Sequence, residues 1–197
     1  MHKVDLYIYL GIRTYYCGIL KVTNKGILVL LDSTNTTIWS SNNSRTVGNN
    51  INNPTAQLLD SGNLVVKDGN IESVLWQSFD HPCDTVLSEM KIGWDLVNGL
   101  DRYLTSWKSA EDPAPSEISA GLDRRGLPQL VVMKGDKIKV RLGFWSGLHF
   151  TGIPWLKPNP LYKYEFVRNE REIYFEFKVQ NNSTFFRYVL NISIMIK

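Results

Sequence analysis

The sequence predicts an all-β protein, and three observations carry that prediction. Two stretches repeat one another, helical periodicity is nearly absent, and strand-length apolar runs are bounded throughout by Gly, Pro, Asn and Asp. Gly26-Ile27-Leu28-Val29-Leu30-Leu31-Asp32, followed by Ile38-Trp39-Ser40-Ser41, returns as Gly62-Asn63-Leu64-Val65-Val66-Lys67-Asp68, followed by Leu75-Trp76-Gln77-Ser78. The glycines lie 36 residues apart and the tryptophans 37, so one residue separates the copies in length. A unit of this size cannot bury its own apolar face, so the copies must share a core. That is a binding-type β architecture rather than a catalytic scaffold.

Each copy reads as a glycine turn, a β-branched and leucine run, a polar turn at Asp32-Ser33 or Asp68-Gly69, and a strand carrying one core-type tryptophan. Pro82, among polar neighbours, marks the next turn, and Met90 to Asp95 with Asn98-Gly99 forms a short strand and turn. Arg102 to Lys108 starts a second series, followed by a polar loop from Ser109 to Ser116 with Pro113 and Pro115, and by Ile118 to Asp123. Arg125-Gly126 turns into Leu127 to Lys134, and Gly135-Asp136 turns as a tight hairpin into Lys137 to Trp145. A Gly- and Pro-rich loop, Ser146 to Pro160, leads to Tyr162 to Val167, Ile173 to Val179 and Phe185 to Leu190. Ile173, Phe175, Phe177 and Val179 alternate with Tyr174, Glu176 and Lys178, which predicts an apolar inner face and a solvent face on a half-buried meander. A domain boundary is placed near Val97 to Arg102.

With 197 residues, 43% of them apolar, the chain can bury a sizeable core. Its 22 basic and 19 acidic side chains are interspersed, leaving no electrostatic footprint for nucleic acid. No apolar run approaches the roughly 20 residues of a membrane helix, and the N-terminus lacks a small-residue cleavage site, so neither a membrane span nor a signal peptide is read. Five acceptor triplets for N-glycosylation, at Asn35, Asn42, Asn181, Asn182 and Asn191, point to the secretory pathway. Cys17 and Cys83 either bridge there or stand as two unrelated thiols; two cysteines make no disulfide framework.

No catalytic constellation is read. His81 and Cys83 flank a proline without the glycine elbow a nucleophile needs. The two cysteines and the histidines His2, His81 and His149 have no metal-ligand spacing, so no metal and no cofactor are expected. There is no P-loop and no kinase signature, and Glu111-Asp112 and the Glu170/Glu172 pair read as solvated turns.

Trp76-Gln77-Ser78-Phe79-Asp80-His81-Pro82-Cys83-Asp84-Thr85 is a recognisable string. So are Gln57 to Asp68, Met90 to Asp95, Leu104 to Ser109 and Phe144 to Gly147. Over Gly18 to Leu190 the chain resembles the ectodomain of plant G-type (bulb-type) lectin S-receptor-like serine/threonine kinases and S-locus glycoproteins. The resemblance implies two tandem lectin-like domains of β-prism II type. Residues 1–98 would be a bulb-type lectin domain whose N-terminal part is missing or divergent, and residues 99–197 an incomplete S-locus glycoprotein region, with both ends reading as truncated. It implies a non-catalytic extracellular or cell-surface recognition module for pollen recognition or defence. The expected partner is a peptide or protein ligand or a glycan, within a receptor that a homodimer could form, and the kinase would lie outside this chain.

Bulb-type lectins resemble one another in a mannose motif, Gln-x-Asp-x-Asn-x-Val-x-Tyr. Registered on Asn63 and Val65, this chain has Leu59 for Gln, Ser61 for Asp and Lys67 for Tyr, and the earlier copy has Thr23, Lys25, Ile27, Val29 and Leu31. A site built to pair hydroxyls loses strongly when its polar partners are gone. Gln57 and Asp60 could replace them only through a register bulge. Both copies therefore read as degenerate sugar sites retained for packing. Trp155, between Pro154 and Pro158, is the candidate exposed recognition aromatic, with packing beneath its own loop as the alternative. Recognition is placed on the loops Ser146 to Pro160 and Gln180 to Thr184.

Overall fold

Gly26 and Gly62 sit at φ +66° and +86°, a left-handed turn conformation that costs glycine nothing, and each starts the same hairpin. We describe residues 18–41, 51–71, 73–154, 159–180 and 186–191 of the computed structural model. The chain divides into two compact units, Met1–Ser78 and Phe79–Lys197, and its described residues contain strands and short turns but no α-helix.

The described residues of the first unit form two antiparallel three-stranded sheets, one per repeat. These are β1 (Ile19–Val22), β2 (Leu28–Leu31) and β3 (Thr37–Ser40), then β4 (Thr55–Leu58), β5 (Leu64–Lys67) and β6 (Val74–Gln77). The copies agree in backbone detail. Thr23 and Leu59 donate N–H to Ile27 and Asn63, both at 2.9 Å, closing equivalent turns. The β2–β3 ladder slips between Leu30 and Leu31, and the β5–β6 ladder slips at the equivalent step between Val66 and Lys67. Asp32 N–H bonds the Thr36 carbonyl, whereas Asp68 N–H bonds that of Ser73, so the extra residue of the second copy lies in this turn, outside the ladder. A serine latches each hairpin: Leu28 N–H donates to Ser41 Oγ at 3.0 Å and Leu64 N–H to Ser78 Oγ at 2.9 Å.

The sheets share the core expected of them, formed by Leu28, Leu64 and Val66. Trp39 and Trp76 pack against it edge to face, 6.0 Å between ring centroids. They are half-buried rather than core residues, because they rest on the flank of this small cluster.

Among the described residues the second unit has three sheets. One runs β10 (Leu104–Ser109), β11 (Asp112–Asp123), β12 (Gln129–Lys134), β13 (Lys137–Phe144); the next runs β14 (Tyr162–Arg168), β15 (Glu172–Val179), β8 (Ile92–Asp95), β9 (Leu100–Arg102); and the third pairs β16 (Arg187–Val189) with β7 (Thr85–Leu87). All three contribute to one cluster through Val86, Ile92, Leu104, Ile118, Val132 and Phe177, which is consistent with a β-prism. A second cluster gathers Trp94, Leu122, Leu130, Phe150 and Ile153 beneath Trp145.

Two expectations change, that of the Ser109 to Ser116 loop and that of the outer face of β15. The expected boundary at 98/99 lies in the β8–β9 turn, and β8 pairs with β15 of the second compact unit. The loop expected over Ser109 to Ser116 is largely strand, because β11 begins at Asp112 and follows β10 through two register shifts around Pro115, where proline cannot donate. Tyr174 and Glu176, read as solvent-facing, are 8% and 4% exposed. Lys91 Nζ lies 4.2 Å over the Tyr174 ring and Lys178 Nζ 2.9 Å from Glu176, so long cations cover both groups while satisfying them. Cys17 lies outside the described residues; Cys83 is half-buried, and burial pushes its thiol up from the ordinary value.

Candidate functional site

The alternation of β5 sends Leu64 and Val66 into the core and Asn63, Val65 and Lys67 to the opposite face. Asn63 is 8% exposed, and its carboxamide is spent internally: Nδ2 donates to Gln77 Oε1 at 3.0 Å, and Oδ1 accepts from Ser78 Oγ at 3.2 Å. Ser61 Oγ accepts from the Asn63 N–H at 3.4 Å. β4 and β5 pair without a register shift, Gln57 opposite Val65, and Asp60 stands exposed in the turn beyond. The structure therefore brings Asn63 together with Gln77 and Ser78, while Gln57 lies across from Val65 on β4 and Asp60 in the exposed turn between the strands.

Trp155, Asn42, Asn181 and Asn182 lie outside the described residues. Asn35 is exposed at φ +63° on the β2–β3 turn, while Asn191, just past β16, is half-buried. Trp145 stacks on Phe166 at 6.0 Å and meets Phe150 edge to face at 5.4 Å, so it is a packing residue.

A feature that the sequence reading did not single out lies in the second unit. A cleft of about 750 Å³ opens between the β8–β9 hairpin and the outer face of β11 and β12. Val131 and Met133 line its floor, and Tyr103, 46% exposed, lines one side. Gly121 lets Tyr103 come close: an added Cβ would lie 2.9 Å from the tyrosine Cβ. Trp94 donates to the Asp101 carboxylate, and the Arg124 guanidinium lies 5.9 Å from the centre of the indole.

Each carboxylate in the cleft is held. Burial raises Asp101 above the ordinary carboxyl value, with Trp94 and Arg124 opposing. Burial would raise Asp95 as well, but the Asn98 side chain and N–H, Arg102 and the Val97 N–H hold it below 3.8. Asp123 is lowered chiefly by Arg125, whose Nε donates at 2.9 Å. The sequence signal was present in Ile92-Gly93-Trp94-Asp95, where a strand tryptophan reads as core; that its ring also meets Asp101 and Arg124 shows only once β9 and β11 are placed.

Among the described residues no group of His, Cys, Asp and Glu is placed to hold a metal, and no helix is long and apolar enough to cross a membrane.

Comparison with known proteins decides the family. Residues 13–108 match the D-mannose binding lectin family and residues 140–197 the S-locus glycoprotein domain. The chain belongs to the S-locus glycoprotein and G-type lectin receptor family. An S-locus-specific glycoprotein of Brassica oleracea var. alboglabra, BS29-2, is 41% identical over 179 residues, 89% of this chain and 40% of that protein. A receptor-like serine/threonine-protein kinase of Arabidopsis thaliana, SD1-8, is 34% identical over 184 residues, 91% of this chain and 21% of the receptor. This S-locus family chain thus spans about two-fifths of the glycoprotein and a fifth of the receptor. Its two matched domains are a lectin and an S-locus glycoprotein domain, and the kinases are those of the relatives.

Proposed function

We propose that this chain is an extracellular recognition module of an S-receptor-like kinase or S-locus glycoprotein, taking a peptide or protein ligand in pollen recognition or defence. In this reading the second unit is a second lectin-like prism in tandem with the first. The relatives support the setting, and one observation favours a protein ligand over mannose. At the motif position Asn63 already bonds Gln77 and Ser78, while Leu59, Ser61 and Lys67 replace the remaining polar and aromatic members. A sugar there would have to displace bonds that the fold uses, with nothing to compensate.

Mannotriose titrated into the chain should give no binding tighter than about 1 mM, a scale of only about −4 kcal/mol. Calorimetric binding at micromolar strength, abolished by Asn63→Ala, would promote the mannose-type lectin reading instead. Fused to the membrane and kinase portion of a relative, the chain should confer a response to peptide ligands. Exchange of the Ser146 to Pro160 and Gln180 to Thr184 loops with those of a relative of different preference should switch that response, and an unchanged response would place recognition elsewhere.

A further inference from the structure

We propose that the free edge of β13 is a docking strand for an extended acidic segment of a partner protein, which adds to the sheet as a further strand. The proposal deepens the reading of this chain as a module that takes a peptide or protein ligand, and rests on that reading only for the class of partner.

β13 stands at the end of its sheet, with β12 on one side and, among the described residues, no strand on the other. Its last residues show that this edge pairs. The chain leaves β13 at Phe144, turns, and comes back beside it. Trp145 and Phe150 form an antiparallel bridge, the Thr151 N–H donates to the Phe144 carbonyl, and the Gly152 N–H donates to that of Leu142, both at 3.0 Å. The approach is so close that a Cβ on Gly143 would meet Thr151 Oγ1 at 2.1 Å. The Ile153 N–H then bonds the Phe150 carbonyl and its side chain is buried, so the returning segment turns inward after Gly152. Among the described residues, Lys137 to Arg141 are left as open edge.

Charge selects the occupant. Lys137, Lys139 and Arg141 are exposed on one face of the strand, while Val140 and Leu142 on the other pack against the core. Between Lys134 and Phe144 four cations stand against one carboxylate, Asp136. Among the described residues none of the four forms an ion pair. Glu117 lies by the turn, where its carbonyl takes the Gly135 N–H, and Asp123, which feels Arg141, is already held by Arg125. A second copy of this chain would set cations opposite cations, so the lysines keep like edges apart and favour an unlike one. An extended segment with carboxylates at alternate positions would place them in cross-strand register with Lys137, Lys139 and Arg141. Its main-chain bonds supply affinity and its side chains the choice of partner. Apolar residues between the carboxylates would fall beside Ile138 and Val140, which are half-buried at this edge.

The probe is an acetylated, amidated heptapeptide of alternating Glu and Val, beginning and ending on Glu, titrated calorimetrically into the intact chain. It should bind with a dissociation constant of about 0.1 mM or tighter at low salt, and about tenfold more weakly in about 0.5 M salt, which screens surface charge. Lys137→Glu/Lys139→Glu should reverse the preference, so that the matching Lys-Val peptide binds and the Glu-Val peptide does not, a reversal that loss of folding does not produce. N-methylation of the peptide, at its Glu nitrogens or at its Val nitrogens, separates strand addition from attraction alone, because alternate N–H groups of a strand face the same edge. One set should abolish binding and the other leave it within about threefold. The proposal is overturned if the Glu-Val peptide fails to saturate by about 10 mM, if both methylated peptides bind alike, or if the charge reversal leaves the preference unchanged. It is equally overturned if tetragalacturonic acid, which carries the charges without the N–H groups, binds as tightly as the peptide. The loop exchange reads a receptor response and these titrations read binding at β13, so either reading can fail alone.

Discussion

Ser78 uses its hydroxyl twice, accepting from Leu64 N–H at 2.9 Å and donating to Asn63 Oδ1 at 3.2 Å. Ser78→Ala strands a buried N–H and half of a buried carboxamide, so chemical denaturation should show a loss of about 1–3 kcal/mol. Aspartates of the cleft respond to pH in opposite senses. Asp95 and Asp123 titrate below their ordinary 3.8, so the stability they contribute is present above about pH 4 and is lost as pH falls through their folded values. Denaturant midpoints should therefore drop below pH 4, and less so in Asp95→Asn. Asp101 titrates above 3.8, so ionising it opposes folding, and stability declines as pH rises from 3.8 through its raised value. Asp101→Asn should then match or exceed the parent in melting temperature at pH 7.

At the scale of elements, the hairpins of the repeat were legible because each rests on local chemistry: a glycine before the run, an Asx turn after it, and alternation along it. The Gly135-Asp136 hairpin was legible for the same reason, with Lys134 opposite Lys137. The pairing of β8 with β15 was not legible, because the partner lies some eighty residues downstream and no local signal names a long-range partner. Gly93 marks that pairing. It sits at φ +137°, and an added Cβ would meet the Ile173 carbonyl oxygen at 2.2 Å, so Gly93→Ala should cost more than about 2 kcal/mol. Hydrogen exchange should rise first along β8 and β15. Half-burial moderates the tryptophans: Trp76→Ala should cost about 2 kcal/mol, measured by denaturant titration, below the loss for a fully enclosed ring.

For the whole molecule, the all-β class and the family were legible from the repeat and from strings such as Trp76 to Thr85, whereas the cleft was not, since it is assembled from three separated segments. Expression through a secretory pathway should leave a glycan on Asn35, exposed at its turn, in preference to the half-buried Asn191, as mass spectrometry of glycosidase-treated peptides would show. The two hairpins of the first unit carry a further consequence. Thr23 and Leu59, Lys25 and Ser61, and Leu31 and Lys67 occupy matching places, yet the turns, bulges and serine latches around them coincide. The positions that would choose a sugar are thus nearly disjoint from those that build the hairpin. Mutation can rewrite one set without taxing the other, so specificity in such a duplicated scaffold is free to drift, vanish or reappear elsewhere on the molecule while the architecture stays intact.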